Sequence, residues 1–327
     1  MIRNVGLPVF EFRRGRWFAS ETIRCAVDWI RLVRSRQVEL VHTFDYYTNL
    51  FAAPLARISR VPLLVTSRRD TGSMFSAKQR WALRRVFLNS DRIVVNSEAA
   101  RQSLLTEGLP DSQIRMVRNG VDLGRYQPNG DRQSARERFA WNPEVPVIAV
   151  IANLRPEKGH KILLRAVPAV LQKYPRAHFV FAGPGPLESE LRAHVAANDL
   201  SNNISFLGDC DAIPELLAAL DIVVLPSTSE SFPNVVLEAM SAGRPVITSA
   251  VGGCTELIDH DRTGLLFPSG DSNTLAQRIL RLLGDPLLSA RLATAGRGRA
   301  EREFNFARAV KNLEDVYDEL LDGRQTT

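Results

Sequence analysis

The stretch "DIVVLPSTSESFPNVVLEAMSAGRPVITSA", residues 221–250, decides the fold class. It runs from one short β-branched segment through a loop and a helical pattern to a second β-branched segment. Pro233 is tolerated in the first turn of a helix, where its missing N–H would be unbonded, and Gly243 is a typical helix stop. The pattern therefore predicts a strand, a helix and a second strand that runs parallel to the first.

The same alternation continues along the chain on both sides of this stretch. The predicted strands cover residues 38–44, 61–67, 91–97, 114–119, 145–152, 177–183, 203–208, 221–227 and 244–250. Amphipathic helical segments between them include residues 22–36, 76–89, 98–107, 159–174 and 272–283. Because the strands are almost continuously apolar and are joined by helices, we expect a doubly wound α/β protein with parallel sheets covered on both faces.

A polar break at roughly residues 126–146 separates two series of strands and helices, and a chain of 327 residues is long enough for two domains. We predict two Rossmann-like domains facing a cleft. The first covers residues 1–130, the second covers residues 131–305, and residues 306–327 form a helix that packs back towards the first. Ligands of such sheets bind beyond the carboxyl ends of the strands.

Composition excludes several classes of protein. The chain is 45% hydrophobic and 24% charged, which is typical of a globular protein. Its net charge of +6 suits phosphates, acidic lipids or nucleic acid but selects none of them, and a merely basic enzyme is the alternative. Three cysteines without a CxxC motif indicate neither a disulfide framework nor a zinc site. Without a signal-peptide pattern or a long apolar run, we expect a cytoplasmic protein.

Glu230 and Glu238 lie on either side of the predicted helix start. The free N–H groups of a helix start bind anions, and Glu238 would lie about 7 Å along the helix from them. Each carboxylate could accept hydrogen bonds from a hydroxyl-rich group beside a bound phosphate. Two polyols joined by a diphosphate describe a nucleotide sugar. The alternative is that the helix dipole alone favours acidic residues here.

Residues 229–247, "SESFPNVVLEAMSAGRPVI", resemble the E-x7-E signature of the retaining glycosyltransferases with the GT-B fold. Four further stretches resemble that family in order: "RMVRNGVDLGRYQP" (115–128), "IANLRPEKGHKILLRA" (151–166), "AHFVFAGPGPLESEL" (177–191) and "VGGCTELIDHDRTGLLFPSGD" (251–271). The resemblance covers about residues 38–321. It implies transfer of a sugar from a nucleotide-diphosphate sugar to an acceptor hydroxyl, without a metal or another cofactor.

The resemblance also implies roles for individual residues. Glu230 would hold the hydroxyls of the donor sugar, Glu238 the ribose, and Lys158 the donor phosphates. A compact cation can neutralise a leaving diphosphate, although Lys158 could instead be a solvated surface lysine. The donor site would also include Asn153, Arg155, Gly183, Cys210, Ser231, Phe232, Pro233, Asn234 and Val235.

Three of these positions leave alternatives open. The family usually has Arg where this chain has Asn153, and Arg155 could supply the charge or face solvent. "GPGPLE", which begins at Gly183, lacks the third glycine of a dinucleotide fingerprint and is expected to form a tight turn near the donor. Cys210 falls where relatives contact the nucleotide base, but it could equally be a small buried hydrophobe.

The acceptor is expected against the first domain. His42 follows a strand and resembles the cleft histidine of the family, although it could be a satisfied structural histidine. Arg68 and Arg69 end another strand and should both face the cleft. They could bind a phosphate of the acceptor or be a solvated pair. "FRRGRWF", residues 12–18, mixes arginine with aromatic residues, which suits an anionic membrane surface or an exposed loop.

Relatives normally start with a strand, a glycine-rich loop and a long helix that this sequence lacks. We estimate that about 70 residues of a usual first domain are missing. The first sheet would then lack a central strand, which would leave strand edges unpaired and apolar surface exposed.

The main hypothesis is a retaining glycosyltransferase of cell-surface polysaccharide or glycolipid synthesis. It would act on a sugar or lipid-linked acceptor as a peripheral protein at the inner face of the membrane. Alternatives are a non-catalytic nucleotide-sugar-binding protein and, less favoured by the order of motifs, a nucleotide-sugar epimerase. No nucleic-acid-binding module, P-loop or GxSxG motif occurs, so we expect no nucleic-acid partner.

Overall fold

The computed structural model describes residues 8–12, 20–126 and 132–325. Within them the chain forms two parallel sheets joined and covered by helices, which confirms the predicted α/β class. Every strand predicted from the sequence is present, within a few residues at each end. The division of the chain at residues 130 and 305 stays a prediction.

The first sheet has four strands in the order β1-β2-β3-β4, and each strand is parallel to its neighbour. Its elements are α1 (Ser20–Ser35), β1 (Leu40–Thr43), α2 (Tyr46–Ile58), β2 (Leu63–Arg68), α3 (Ala77–Leu88), β3 (Arg92–Val95), α4 (Glu98–Thr106) and β4 (Ile114–Met116). Side chains of Asp45, Ser76 and Ser97 cap the helices that follow the strands. Each cap satisfies a backbone N–H that has no partner inside its helix.

The second sheet has six strands in the order β10-β9-β8-β5-β6-β7. Its elements are α5 (Arg132–Arg138), β5 (Val147–Ile151), α6 (His160–Lys173), β6 (His178–Ala182), α7 (Glu188–Ala197), β7 (Ile204–Gly208), α8 (Ile213–Ala219), β8 (Ile222–Leu225), α9 (Asn234–Ser241), β9 (Val246–Ser249), α10 (Cys254–Leu257), β10 (Leu265–Phe267), α11 (Ser272–Gly284), α12 (Pro286–Glu303) and, after the sheet, α13 (Phe306–Gln325). From β5 the chain first builds outward to β7 and then returns to β8 on the other side of β5. This reversal opens a crevice beyond the carboxyl ends of β5 and β8, where ligands of such sheets bind.

Both faces of the second sheet are buried. Phe179, Phe181 and Leu163 belong to the apolar cluster on one face, and Leu225 and Met240 belong to the cluster on the other. Burial on both faces explains why its strands are almost continuously apolar in the sequence. The loops at the ends of the strands therefore carry the polar groups.

Two elements differ from the sequence-based expectation. Helix α5 lies inside the predicted polar break, and the three-residue strand β10 was not predicted. The predicted final helix is α13, and its Val316 and Leu320 are buried in a cluster with Leu63 of β2. The end of the chain thus packs against the first sheet.

In the described part of the chain, β1 pairs with β2 alone and forms one edge of the first sheet. Phe44 and Tyr47, which follow β1, are 43% and 59% exposed. These two aromatic side chains therefore lie at the exposed edge of the described sheet. None of the described helices combines the length and the apolar character needed to cross a membrane.

Candidate active site

The loops at the carboxyl ends of the two sheets face each other across a cleft. A cavity of about 300 Å³ lies between the loop after β2, residues 69–75, the loop after β5, which contains Lys158, and the loop after β8, which contains Glu230. The predicted phosphate and sugar residues are thus brought together at one place. Nothing in the sequence alone required the loop after β2 to complete this cavity.

Lys158 and Glu230 form an ion pair at the floor of the cavity. Lys158 Nζ lies 2.6 Å from Glu230 Oε1, and Ser227 Oγ donates to the same oxygen over 2.7 Å. The Glu230 side chain is 8% exposed and that of Lys158 25%. Gly159 has φ +68°, and a Cβ there would lie 1.9 Å from the carbonyl oxygen of Pro226. A glycine is therefore required to bring the Lys158 loop this close to the Glu230 loop.

Helix α9 begins beside this pair. Its N-cap residue is Pro233, and no side chain caps the helix. The Val236 N–H donates to the Pro233 carbonyl. Among the described residues no side chain occupies the N–H groups of Asn234 and Val235, so these two can bind an anion, and the helix dipole favours negative charge there. Phe232 and Pro233 are buried, whereas Asn234 is exposed at the helix start.

Glu238 lies one turn further along α9 and contacts a residue that the sequence analysis missed. The hydroxyl of Tyr126 donates a hydrogen bond to the Glu238 carboxylate. Burial raises the pKa of Glu238, while this hydrogen bond and Arg125 oppose the rise. Burial and Glu238 together raise the pKa of Tyr126 to about 12. Tyr126 lies in the stretch 115–128 that resembles the family, but no pattern in the sequence indicates its contact with Glu238.

The two serines that flank Glu230 bind the opposite side of the cleft through contacts that we call the serine clasp. The clasp consists of Ser231 Oγ with Asn96 Oδ1 (2.5 Å) and Ser97 Oγ (2.8 Å), and of Ser229 Oγ with Thr71 Oγ1 (2.9 Å) and Ser73 Oγ (3.1 Å). Ser97, Ser231 and Asn96 are buried. The sequence carries no signal for the clasp because its members are more than 130 positions apart along the chain.

Arg69 faces the cleft as predicted. Its guanidinium donates to Asn119 Oδ1 over 2.8 Å, and Asn119 in turn donates to the carbonyl of Phe232 and to Asn234. Partial desolvation lowers the pKa of Arg69. No ion pair of Arg69 with a carboxylate occurs among the described residues, so its charge is available to a ligand.

Arg68, by contrast, does not face the cleft, and the prediction that both arginines do so is wrong for this residue. Its side chain is 1% exposed and pairs with Asp70 at 2.8 Å and Glu107 at 3.1 Å. Its guanidinium also lies over the ring of Phe75, 5.2 Å from the ring centre. Successive side chains at a strand end point to opposite sides, so only one of two adjacent arginines can reach the cleft.

Both ring nitrogens of His42 are occupied. Nδ1 lies 2.6 Å from the Tyr317 hydroxyl of α13, and Nε2 lies 2.7 Å from Ser67 Oγ. Burial, with a contribution from Arg69, lowers the pKa of His42 to about 4, so the ring is neutral at pH 7. This geometry favours the alternative that His42 is a structural residue that attaches α13 to the first sheet.

The remaining predicted donor residues lie around the same strand ends. Asn153 and Arg155 are exposed in the loop after β5, and Val235 is half-buried in the first turn of α9. Gly183 has φ +137°, and a Cβ there would lie 2.3 Å from the Ala152 carbonyl oxygen. Cys210 packs against the apolar cluster that also holds Phe232 and Met240. Among the described residues no group of three or more His, Cys, Asp or Glu side chains could hold a metal ion.

Two Rossmann-like sheets that face a cleft, with a free helix start beside an ion pair, define the class of GT-B glycosyltransferase folds. The family model described as "Glycosyl transferases group 1" matches residues 131–299, which is just over half of the chain. The model described as "Glycosyltransferase Family 4" matches residues 2–125. The chain therefore belongs to the group 1 glycosyl transferases.

Curated relatives include enzymes that act on inositol derivatives. The chain is 31% identical over 306 residues to a D-inositol 3-phosphate glycosyltransferase of Salinispora tropica, covering 88% of this chain and 61% of the relative. It is 34% identical over 209 residues to a GDP-mannose-dependent monoacylated alpha-(1-6)-phosphatidylinositol monomannoside mannosyltransferase of Corynebacterium glutamicum, covering 61% of this chain and 54% of that protein. The chain thus spans between half and two thirds of the length of these relatives.

Solved structures show the same fold. HepE of Anabaena, in a complex with UDP and glucose, superposes with a TM-score of 0.85 and 25% sequence identity, covering 96% of this chain and 86% of HepE. Sucrose-phosphate synthase of Thermosynechococcus elongatus superposes with a TM-score of 0.81 and 22% identity, covering 95% and 83% of the two chains.

Proposed function

We propose that the protein transfers a sugar from a nucleoside-diphosphate sugar to an acceptor hydroxyl, with retention of configuration and without a metal ion. The observation that carries this proposal is the Lys158–Glu230 ion pair beside the uncapped start of α9. Together they offer one cation and a helix dipole to a diphosphate and a carboxylate to a sugar. The family membership and the likeness to HepE with UDP and glucose support the same ligand class.

The donor diphosphate binds at the start of α9, where Lys158 adds a positive charge. When the phosphates arrive, Lys158 exchanges part of its contact with Glu230 for the phosphate oxygens. The ammonium and the helix dipole then stabilise the charge that develops on the leaving diphosphate. A site closed to water makes both interactions stronger than they would be in bulk solvent.

The two glutamates hold hydroxyl groups on either side of that diphosphate. Glu230, oriented by Ser227, accepts hydrogen bonds from the sugar hydroxyls, because an ionised carboxylate is purely an acceptor. Glu238 accepts from the ribose hydroxyls in the same way, while Tyr126 fixes the direction of its carboxylate. Tyr126 is thus a positioning residue for the ribose contact.

The chemical step needs no strong protein base. The bond between the anomeric carbon and the phosphate oxygen breaks, and the acceptor oxygen forms a bond to that carbon on the same face. The acceptor proton moves to the leaving phosphate oxygen, which balances the charge. His42 is not required for this transfer, since both of its ring nitrogens already have partners.

The acceptor lies on the side of the first sheet. Arg69 borders the cavity at Lys158 and also a second cavity of about 370 Å³. That second cavity has an exposed apolar wall made of Phe44, Phe306 and Val310. An acceptor with an acidic group at Arg69 and an apolar part on this wall, such as a lipid-linked sugar, fits both features.

Such an acceptor suits surface polysaccharide or glycolipid synthesis by a peripheral protein at the inner face of an anionic membrane. The stretch 12–18, proposed for the membrane contact, lies outside the described residues apart from Phe12. This cellular role rests on the acceptor chemistry and on the resemblance alone.

Calorimetric titration with UDP, GDP and ADP tests the donor site. We expect micromolar binding of one nucleotide and a loss of at least tenfold in Glu238→Ala, with no change in the exposed control Glu314→Ala. Equal affinity of Glu238→Ala and the unmodified chain would contradict the ribose role. Nucleotide binding without sugar transfer or donor hydrolysis would instead favour a non-catalytic nucleotide-sugar-binding protein.

A further inference from the structure

A third cavity lies at the opposite end of the second sheet from the cleft. Its volume is about 530 Å³, within the range of small-molecule sites. It is formed where the chain enters β5, β8 and β9, and by the facing ends of α11 and α12. Nothing in the proposed sugar transfer uses this cavity.

One rim of the cavity is fixed by a fully buried arginine. Arg136 donates to the carbonyls of Asn142, Pro143 and Val145 in the loop before β5, and to Asp221 Oδ2 at 2.5 Å. The Asp221 carboxylate also accepts from Arg132 and, over 2.7 Å, from the N–H of Val147. The charge of Asp221 is thus already compensated by two guanidinium groups.

A third arginine on the cavity wall lies outside this ion-paired group, and Asp221 attracts it only from a longer distance. Arg244 donates from Nη1 to the carbonyl of Leu220 over 3.1 Å, while its Nε is buried and has no hydrogen-bond partner. Within the described residues no carboxylate forms an ion pair with Arg244. Burial, and then Arg132, lowers the pKa of Arg244. A half-buried cation without an anion costs stability unless a ligand compensates it.

The facing wall of the cavity is apolar. It is contributed by Leu282 and Leu283 at the end of α11 and by Pro286 and Ala290 at the start of α12. The rim also carries the exposed Glu144. The formal charges around the cavity are those of three arginines, Arg132, Arg136 and Arg244, and of two carboxylates, Asp221 and Glu144. One positive charge is left over, which matches a ligand with a single negative charge.

We propose that this cavity binds a monoanionic organic acid. Its carboxylate is held by Arg244, with Arg132 at the mouth, and its apolar body packs against the α11–α12 wall. A guanidinium binds a carboxylate through charge-assisted hydrogen bonds, and Arg244 is one of the residues that line the cavity. The site is independent of the nucleotide and acceptor sites.

Calorimetric titration of the full chain with octanoate tests this proposal, with acetate and octanamide as matched probes that lack the apolar body or the charge. We expect octanoate to bind in the micromolar range, and both other probes to bind at least tenfold more weakly. Arg244→Gln should weaken octanoate binding at least tenfold. The exposed Arg24→Gln on α1 should have no effect.

A second variant keeps the test decisive if Arg244→Gln does not fold. Ala290→Glu adds a negative charge to the wall at an exposed helical position, where it disturbs no packing. It should abolish octanoate binding while the affinity for nucleotides at the cleft stays unchanged. The proposal is overturned if octanoate does not bind to the folded chain, if octanamide binds equally well, or if neither variant changes the affinity.

Discussion

The two sides of the cleft are built from different chemistry. On the side of the second sheet, Lys158, Glu230 and Glu238 bring charges to a free helix start. On the side of the first sheet, the hydroxyl of Ser97 and the amide of Asn96 contact that charged loop. Arg69 contributes the cation on this side. In the proposed reaction, the charged side holds the diphosphate and its sugars. The other side closes on it through short polar side chains, which cost little conformational entropy to order.

Among substitutions on the two sides of the cleft, we expect the largest effect from removing the charge of Lys158. We expect Lys158→Met to lower kcat by about a hundredfold to a thousandfold, because one preorganised charge contributes that much to a developing anion. The control is Lys161→Met, since Lys161 lies on the same helix–loop unit and pairs with the exposed Glu190. Initial rates with the nucleotide sugar selected by titration give the answer. An effect confined to KM would contradict a role in stabilising the leaving group.

Adjacent arginines provide the next largest contrast, this time in stability. Arg68→Ala leaves Glu107 and Asp70 without their cation, and we expect it to lower the free energy of unfolding by about 3 kcal/mol. Arg69→Ala should change that free energy by less than about 0.5 kcal/mol and instead impair acceptor use. Urea unfolding of both variants measures the difference. Equal destabilisation would mean that the two side chains share one environment.

The serine clasp should give a smaller effect. Ser97→Ala removes one hydroxyl partner of Ser231, and we expect a cost of about 1 kcal/mol in donor binding. The same variant also removes the side-chain cap of α4, which lowers the free energy of unfolding by about 1 kcal/mol. The double variant Ser97→Ala with Ser231→Ala should cost less than the sum of the single variants, because the two groups contact each other. A double-mutant cycle on the KM for the donor measures this coupling. Strict additivity would separate the clasp from donor binding.

The smallest expected effect concerns His42, on the side of the first sheet, and appears in the pH dependence of stability. The pKa of His42 is lowered to about 4, so its contribution is complete above pH 6.5 and is lost as the pH falls towards 4. His42→Gln should therefore flatten the fall in Tm between pH 6.5 and 4.5, and the exposed His194→Gln should not. Thermal unfolding at several pH values tests this. His160, whose pKa is also lowered to about 4, keeps part of the dependence in both variants.

The sequence predicted the second side of the cleft better than the first, for physical reasons. Strands buried on both faces leave a continuous apolar signal, and the loop residues Lys158 and Glu230 follow such strands directly. Helix α5 was missed because its stability comes from the tertiary contacts of Arg136 rather than from an apolar face. Whether the Arg68 side chain faces the cleft depends on the orientation of the end of β2. The order of residues alone does not determine that orientation.

Contacts between side chains of distant loops could not be predicted from the sequence either. Tyr126 with Glu238 and Ser231 with Asn96 join residues that no local pattern connects. They form because two strand-end loops meet across a cleft, which only the folded chain specifies. The predicted residue types at the site were therefore more reliable than their individual partners.

The most direct test of the central claim is the stereochemistry of transfer. The donor selected by nucleotide titration, for example an α-linked UDP-, GDP- or ADP-sugar, is incubated with the full chain and an alkyl-linked acceptor, and the product is followed by proton NMR. We expect a product with the α configuration of the donor, formed without added metal. Product formation should be lost in Lys158→Met. A β-configured product, or turnover that Lys158→Met leaves intact, would contradict the central claim.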